Sequence, residues 1–310
     1  MKIAFLGTPG FALPSLQMLL DAGHELALFT NPDRPKGRHG VPVPPPTKVL
    51  ALANGIPVYQ FERIRAPEGV AALRAFAPEL MVTAAFGQLL SQENLDIPPY
   101  GCINVHASLL PKYRGAAPIQ WAIIGGDTVT GVTTMYTALG LDTGDILLSR
   151  QTPIGPEETA GELFDRLACL GADLLKETIA SLQAGTLVRT PQSEAEATRC
   201  TMIHKEDGKL SFAAQTAQQV HDRVRGTSPW PGAYALMEGG EPLKIWRTHM
   251  SGRLERGAAG ECVIASPKTG LFVQAADGLV EILELQFPGG KRMTAAQALA
   301  GHALQGTILR

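Results

Sequence analysis

The chain has 310 residues, enough for about two domains at a soft prior of roughly 150 residues each, and it is 45% hydrophobic and 18% charged. That composition excludes disorder over the whole chain and leaves material for sizeable cores. With 27 Lys and Arg against 29 Asp and Glu, the net charge is −2, so no global field attracts a polyanion or an anionic membrane; such a partner must meet a local patch.

The first half alternates strand-like and helix-like runs. A strand over residues 2–6 is followed by the turn Gly7-Thr8-Pro9-Gly10 and an amphipathic stretch over 11–22, the opening of a βαβ unit. Further strands are predicted over 25–30, 80–85, 102–105 and 131–137, with helices over 47–53, 68–76 and 118–124. Runs apolar on both faces, such as Leu80-Met81-Val82-Thr83-Ala84-Ala85, suit the centre of a parallel sheet covered by helices on both sides. A long helix over 157–182 closes this part.

Between residues 31 and 47 stand Pro32, Pro35, Pro42, Pro44, Pro45 and Pro46, which exclude a helix interior or a central strand. Arg34, Lys36, Arg38 and Lys48 against Asp33 alone make this a basic arm able to touch a polyanion. Residues 185–207 turn polar and read as a linker. Beyond them come a helical stretch over 213–224 and five short strands, over 233–237, 243–248, 260–265, 271–275 and 279–285. Their Gly-marked turns suggest a small barrel, and a last helix over 295–303 has Thr294 as its N-cap.

No apolar run approaches the roughly 20 residues of a membrane span, and Gly7 interrupts the opening too early for a secretory signal. A soluble cytoplasmic protein is expected. Cys102, Cys169, Cys200 and Cys262 are widely separated and read as reduced, mostly buried thiols. Gly7-Thr8-Pro9-Gly10 lacks the glycine spacing of a dinucleotide fingerprint, so no NAD site is expected. There is also no serine-hydrolase elbow, phosphate loop or H-E-x-x-H pair, and no metal is implied.

The segment richest in chemistry begins at Cys102. Asn104 and His106 lie two apart at the end of a predicted strand, so the pleat points both side chains to one face. Ligands of open parallel sheets bind beyond the carboxyl ends of strands, where this pair is delivered. The cluster Gly140-Leu141-Asp142-Thr143-Gly144-Asp145 follows the next strand. If the two strands are neighbours, Asp142 can reach the imidazole, orient it and favour its protonated form. An amide donor, an imidazole and a carboxylate suffice for acyl-type transfer.

These blocks carry a resemblance. Gly7-Thr8-Pro9 with Phe11, Pro32-Asp33-Arg34-Pro35, Asn104-Val105-His106 running into Ser108-Leu109-Leu110-Pro111, Tyr113-Arg114-Gly115 onward to Trp121, the Asp142 cluster and Ser228-Pro229-Trp230-Pro231 span nearly the whole chain. Together they resemble the folate-dependent formyltransferases, and the arm and trailing domain narrow the likeness to those acting on methionyl-tRNA. The resemblance implies a formyl group taken from 10-formyltetrahydrofolate as co-substrate and placed on the methionine of initiator methionyl-tRNA. It implies Asn104, His106 and Asp142 as catalytic residues and Ser108, Leu109, Leu110 and Pro111 as the folate-contacting segment. The arm, with Arg34, Lys36 and above all Arg38, would touch tRNA, although Gly40 and Val41 stand where bacterial members carry lysines. The expected architecture is α/β: a Rossmann-like, mostly parallel sheet with helices on both faces, then a small OB-like β-barrel. Residues 1–189 would form the catalytic domain, 190–206 the linker and 207–310 the tRNA-binding domain, in a monomer. A formyltransferase acting on a nucleotide or amino sugar would share the core and differ in the arm and second domain.

Overall fold

The structure, a computed structural model, describes residues 1–36 and 40–310. The chain divides into two compact units. One comprises Met1–Gly115, Thr130–Thr152 and Phe164–Arg199, the other Ala116–Val129, Pro153–Leu163 and Cys200–Arg310.

The first unit is built on seven strands: β1 (Lys2–Gly7), β2 (Glu25–Thr30), β3 (Val58–Gln60), β4 (Leu80–Ala84), β5 (Cys102–His106), β6 (Val129–Tyr136) and β7 (Ile146–Pro153). Their spatial order is β7-β6-β5-β4-β1-β2-β3. Pairing is parallel from β3 through β1 to β5, while β6 runs antiparallel to β5. Strand β4 is buried along its whole length, as its unbroken apolar run requires. Helices α1 (Leu13–Asp21), α2 (Pro46–Ala53) and α3 (Pro67–Phe76) each begin with proline in the first turn, where its missing N–H costs nothing. The turn from β1 towards α1 needs glycine at position 7, because a Cβ there would lie 2.8 Å from both Ala12 and the Phe5 ring.

Strands β3 and β7 were not anticipated. β3 is only three residues long, and along most of β7 buried or half-buried residues alternate with exposed ones, so neither shows the apolar block of a central strand. The expected helices over 47–53, 68–76 and 118–124 form at nearly those positions.

The second unit contains an antiparallel sheet in the order β8 (Ala233–Leu236), β9 (Pro242–Met250), β12 (Leu279–Gln286), β11 (Gly270–Gln274) and β10 (Cys262–Ser266). A short β13 (Met293–Thr294) extends it along β12. The chain's last residues join its two edges. Leu236 and Arg310 exchange backbone hydrogen bonds, Leu309 N–H donates to Gly260, and Cys262 N–H donates to Thr307. This closure makes the sheet a small barrel and removes the exposed edges that strands otherwise present. Thr294 caps the final helix, Ala295–Gly301, in a reciprocal box with Gln297. The core of this unit draws on Phe212, Val220, Val224, Leu243, Ile245, Val273 and Ile282. Among the described residues no helix is long and apolar enough to cross a membrane.

Candidate active site

Asn104 and His106 sit on one face of β5, as their spacing requires. Thr83 of β4 lies directly across from Asn104, and its hydroxyl donates to the Asn104 side-chain oxygen at 2.8 Å. That bond ties down the acceptor end of the amide and leaves its N–H2 end to serve something else. Nothing in the pattern around Thr83 distinguishes it from other threonines of buried strands, so it was not anticipated.

His106 is 6% exposed. Its Nε2 lies 3.0 Å from the Tyr113 carbonyl, which can only accept, so Nε2 carries the proton. Nδ1 then faces the Asp142 carboxylate, whose Oδ2 is 3.7 Å away. The separation is too long for a direct hydrogen bond but short enough for strong attraction whenever the ring is a cation. The same Oδ2 accepts the Gly115 N–H at 2.8 Å. Asn104, His106 and Asp142 are therefore brought to one place, with Asp142 arriving from the loop after β6. A backbone carbonyl sets the imidazole tautomer, a feature that residue types alone do not reveal.

The segment after His106 is internally tied. Ser108 is buried, its hydroxyl donates to the Lys112 carbonyl at 2.6 Å, and its own carbonyl accepts from Thr133 at 2.7 Å. Leu110 is also buried, whereas Leu109 and Pro111 are half-buried. A Leu109 methyl fills the space beside Gly131, where a Cβ would lie 2.6 Å from it. The Ser108 hydroxyl is thus engaged within the loop, and the surface this segment offers comes from Leu109, Pro111 and the backbone.

The proline-rich arm starts as a two-stranded ribbon, Arg34–Lys36 against Val41–Val43. Its root is fastened where Lys48 Nζ donates to both Asp33 oxygens, at 2.8 and 2.9 Å, and to Gln60 at 2.8 Å. Gln60 in turn donates to Asp33 and to the Asn31 carbonyl. The Lys48 hydrogen bond, then that from Gln60, holds the Asp33 carboxyl below the ordinary carboxylate range. Arg34 is exposed and paired with Glu62. Arg38 and the side chain of Lys36 lie outside the described residues. Among the described residues no group of three or more His, Cys, Asp or Glu side chains could hold a metal ion.

Comparison with known proteins gives the family. Residues 1–179 match the formyl transferase family and residues 202–303 match the formyl transferase C-terminal domain. The methionyl-tRNA formyltransferase of Ruminiclostridium cellulolyticum is 48% identical over 307 residues, covering 98% of this chain and 97% of the relative. That of Geotalea uraniireducens is 50% identical over 311 residues, covering 100% of this chain and 98% of the relative. Among solved structures, HypX from Aquifex aeolicus in complex with tetrahydrofolic acid superposes with a TM-score of 0.67 at 16% identity. The match covers all of this chain, which spans about half the length of HypX (51%), and at that identity it speaks to the fold alone.

Proposed function

We propose that this chain, which belongs to the formyl transferase family, moves a formyl group from 10-formyltetrahydrofolate to the α-amino group of methionine on initiator methionyl-tRNA. One observation carries the reading. On a chain 48% identical over its length to a methionyl-tRNA formyltransferase, an amide, an imidazole and a carboxylate meet at the carboxyl end of β5.

The folate supplies the formyl group, and the protein's residues manage charge and protons. As the neutral amine attacks, a new C–N bond forms and negative charge gathers on the formyl oxygen. The free end of the Asn104 amide is suited to donate to that oxygen. The amine loses a proton as it becomes an amide nitrogen, and the departing folate nitrogen gains one as its bond to the formyl carbon breaks. His106, through the Nδ1 side facing Asp142, is the group suited to relay that proton, with the carboxylate steadying the imidazolium formed on the way. Ser108, Leu109, Leu110 and Pro111 form the wall for the folate, through backbone and the half-buried Leu109 and Pro111.

In this reading residues 1–189 form the catalytic domain, 190–206 the linker and 207–310 the tRNA-binding domain, in a cytoplasmic monomer. The arm, with Arg34, Lys36 and Arg38, contacts the acceptor end of the tRNA.

The test supplies purified protein with labelled formyl-folate and a mixture of charged tRNAs. Label should pass to initiator methionyl-tRNA in preference to the elongator form. His106→Ala should lower the rate on the order of 10²–10⁴-fold, the range for losing a general acid–base group, with tRNA affinity nearly unchanged. Transfer to a free amino sugar or aminoribonucleotide, with none to charged tRNA, would replace this reading by that of a small-molecule formyltransferase.

A further inference from the structure

The loop that carries Asp142 travels far to reach the imidazole. Because β6 is antiparallel to β5, Tyr136 lies opposite Ile103 and Thr133 opposite His106. The chain therefore leaves β6 three residues, about 10 Å, from the level of His106 and must come back. On the way Leu139 and Leu141 are exposed, and Asp142 adopts a left-handed conformation with φ 52°. Exposed leucines and a left-handed aspartate mean that packing and intrinsic backbone preference do little to fix this loop. Polar contacts must do so.

Besides the Gly115 N–H on the Asp142 carboxylate, they come from the segment read as a linker. The Gln192 side-chain N–H2 donates to the Asp142 carbonyl at 2.8 Å and to the Gly144 carbonyl at 2.7 Å. Its oxygen accepts from Arg114 Nε at 2.9 Å. Arg114 is 2% exposed and also pairs with Glu194 at 2.8 Å. Turning the Gln192 amide over would set donor against donor and acceptor against two acceptors, so Arg114 fixes which way it points. The segment is fastened on both sides. Thr190 and Ile146 exchange backbone hydrogen bonds, and Thr198 accepts from Arg114 N–H and donates to the Pro111 carbonyl. This strap joins the segment leading out of His106 to the loop that carries Asp142.

We infer that Gln192, oriented by Arg114, is a positioning residue that sets the Asp142 carboxylate against His106. The inference rests on the reading of Asp142 as a member of the reacting trio. Gln192→Glu is the informative variant: it keeps the size and the contact with Arg114 but turns both donors into acceptors facing carbonyls.

The experiment compares wild type, Q192E, D142N and the double variant in methionyl-tRNA formylation, and follows hydrogen exchange of residues 137–145. Q192E should lose about 10- to 100-fold in kcat, the scale of a displacement of about 1 Å, with KM for both substrates within about threefold of wild type. Exchange over 137–145 should quicken. The double variant should be little slower than D142N alone, because both changes remove the same contribution. Q192A, which loses the donors without adding repulsion, should show the same pattern at smaller size and serves where Q192E does not fold. A near-wild-type rate in Q192E, unchanged exchange in the loop, or losses that multiply in the double variant would overturn the inference. A wild type inactive on methionyl-tRNA, or D142N at full rate, would instead overturn the functional reading and the inference with it, whichever way the exchange result fell.

Discussion

Thr83 and Asn104 face each other across two parallel strands, and the 2.8 Å hydrogen bond between them gives the Asn104 amide its direction. A side-chain amide free to turn presents its donor end only part of the time, and catalysis by a fixed dipole depends on its being set beforehand. Thr83→Val preserves shape and removes the hydroxyl, so kcat should fall roughly tenfold, the equivalent of one hydrogen bond of about 1.4 kcal/mol. Asn104→Ala should cost more, on the order of 10²–10³-fold, since it removes the donor itself. Thr83→Ser should restore most of the rate. Single-turnover formylation measures all three, and a Thr83→Val enzyme as fast as wild type would show that Asn104 is oriented by something else.

The part of the site that was legible in the sequence is the part governed by local geometry. Asn104 and His106 share a face because a strand repeats every two residues, and the buried runs of β1 and β4 announce a covered parallel sheet. The polar segment at 192–197 looked like a linker because it lacks an apolar period, yet Gln192 reaches back fifty residues to the Asp142 loop. Periodicity reports burial of apolar faces and is blind to an irregular segment fastened by amide and guanidinium contacts. The barrel is expected from its five short strands, but the residues that close it are not: closure rests on backbone bonds made by residues 306–310, where Thr307-Ile308-Leu309 is too short a run to announce a strand.

The lowered pKa of the Asp33 carboxyl at the root of the arm yields a pH prediction. The Lys48 and Gln60 contacts hold the Asp33 carboxyl below its ordinary value, so the protonated form is disfavoured in the folded chain. A depressed carboxyl contributes its stabilisation above the unfolded value of about 3.9, and that contribution disappears only as pH falls through the lower folded value. The fastening should therefore persist at pH 4 to 5. Carbon-detected NMR of the Asp33 carboxyl should give a midpoint below about 3.9; a midpoint at or above it would mean that the contact with Lys48 does not form in solution. Asp33→Asn should raise KM for initiator tRNA several-fold and leave that for the folate unchanged, if the arm is the tRNA contact.

Thiol chemistry should single out one cysteine of four. Cys169 is exposed, while Cys102, Cys200 and Cys262 are buried. Burial pushes the Cys102 thiol up to about 12 and raises that of Cys262 as well, so Cys102 carries almost no reactive thiolate near pH 8 and Cys262 less than an ordinary thiol. A thiol reagent at that pH should modify Cys169 quickly and the others only on unfolding. Mass spectrometry of the labelled peptides reads the order directly, and rapid labelling of Cys102 in the native protein would contradict the packing of β5.

Removing residues after 206 should do more than remove the proposed tRNA-binding domain. Within the second unit, α4 (Pro118–Ile124) turns Ile119, Ala122 and Ile123 inward. A Cβ on Gly226 would lie 2.6 Å from Ile124, so helix Ala217–Gly226 meets α4 in close contact there. Trp121 Nε1 donates to the Thr201 carbonyl at 2.9 Å, His221 Nε2 lies 2.9 Å from the Pro156 carbonyl, and Gly161 N–H donates to Ser228 at 3.0 Å. Truncation at 206 strips all but the first of these away. Exposing the buried Ile123 alone costs about 1.5–3 kcal/mol, a sizeable share of the 5–15 kcal/mol typical of a folded domain. The shortened chain should melt at a distinctly lower temperature, lose cooperativity and bind a hydrophobic dye. A raised KM for tRNA in such a fragment would therefore not isolate the barrel's role; charge reversals at exposed lysines of the intact chain, such as Lys205 and Lys209, would do so. A fragment with wild-type melting temperature and a sharp transition would show that α4 and the 153–163 segment hold their structure without the helix and barrel that follow.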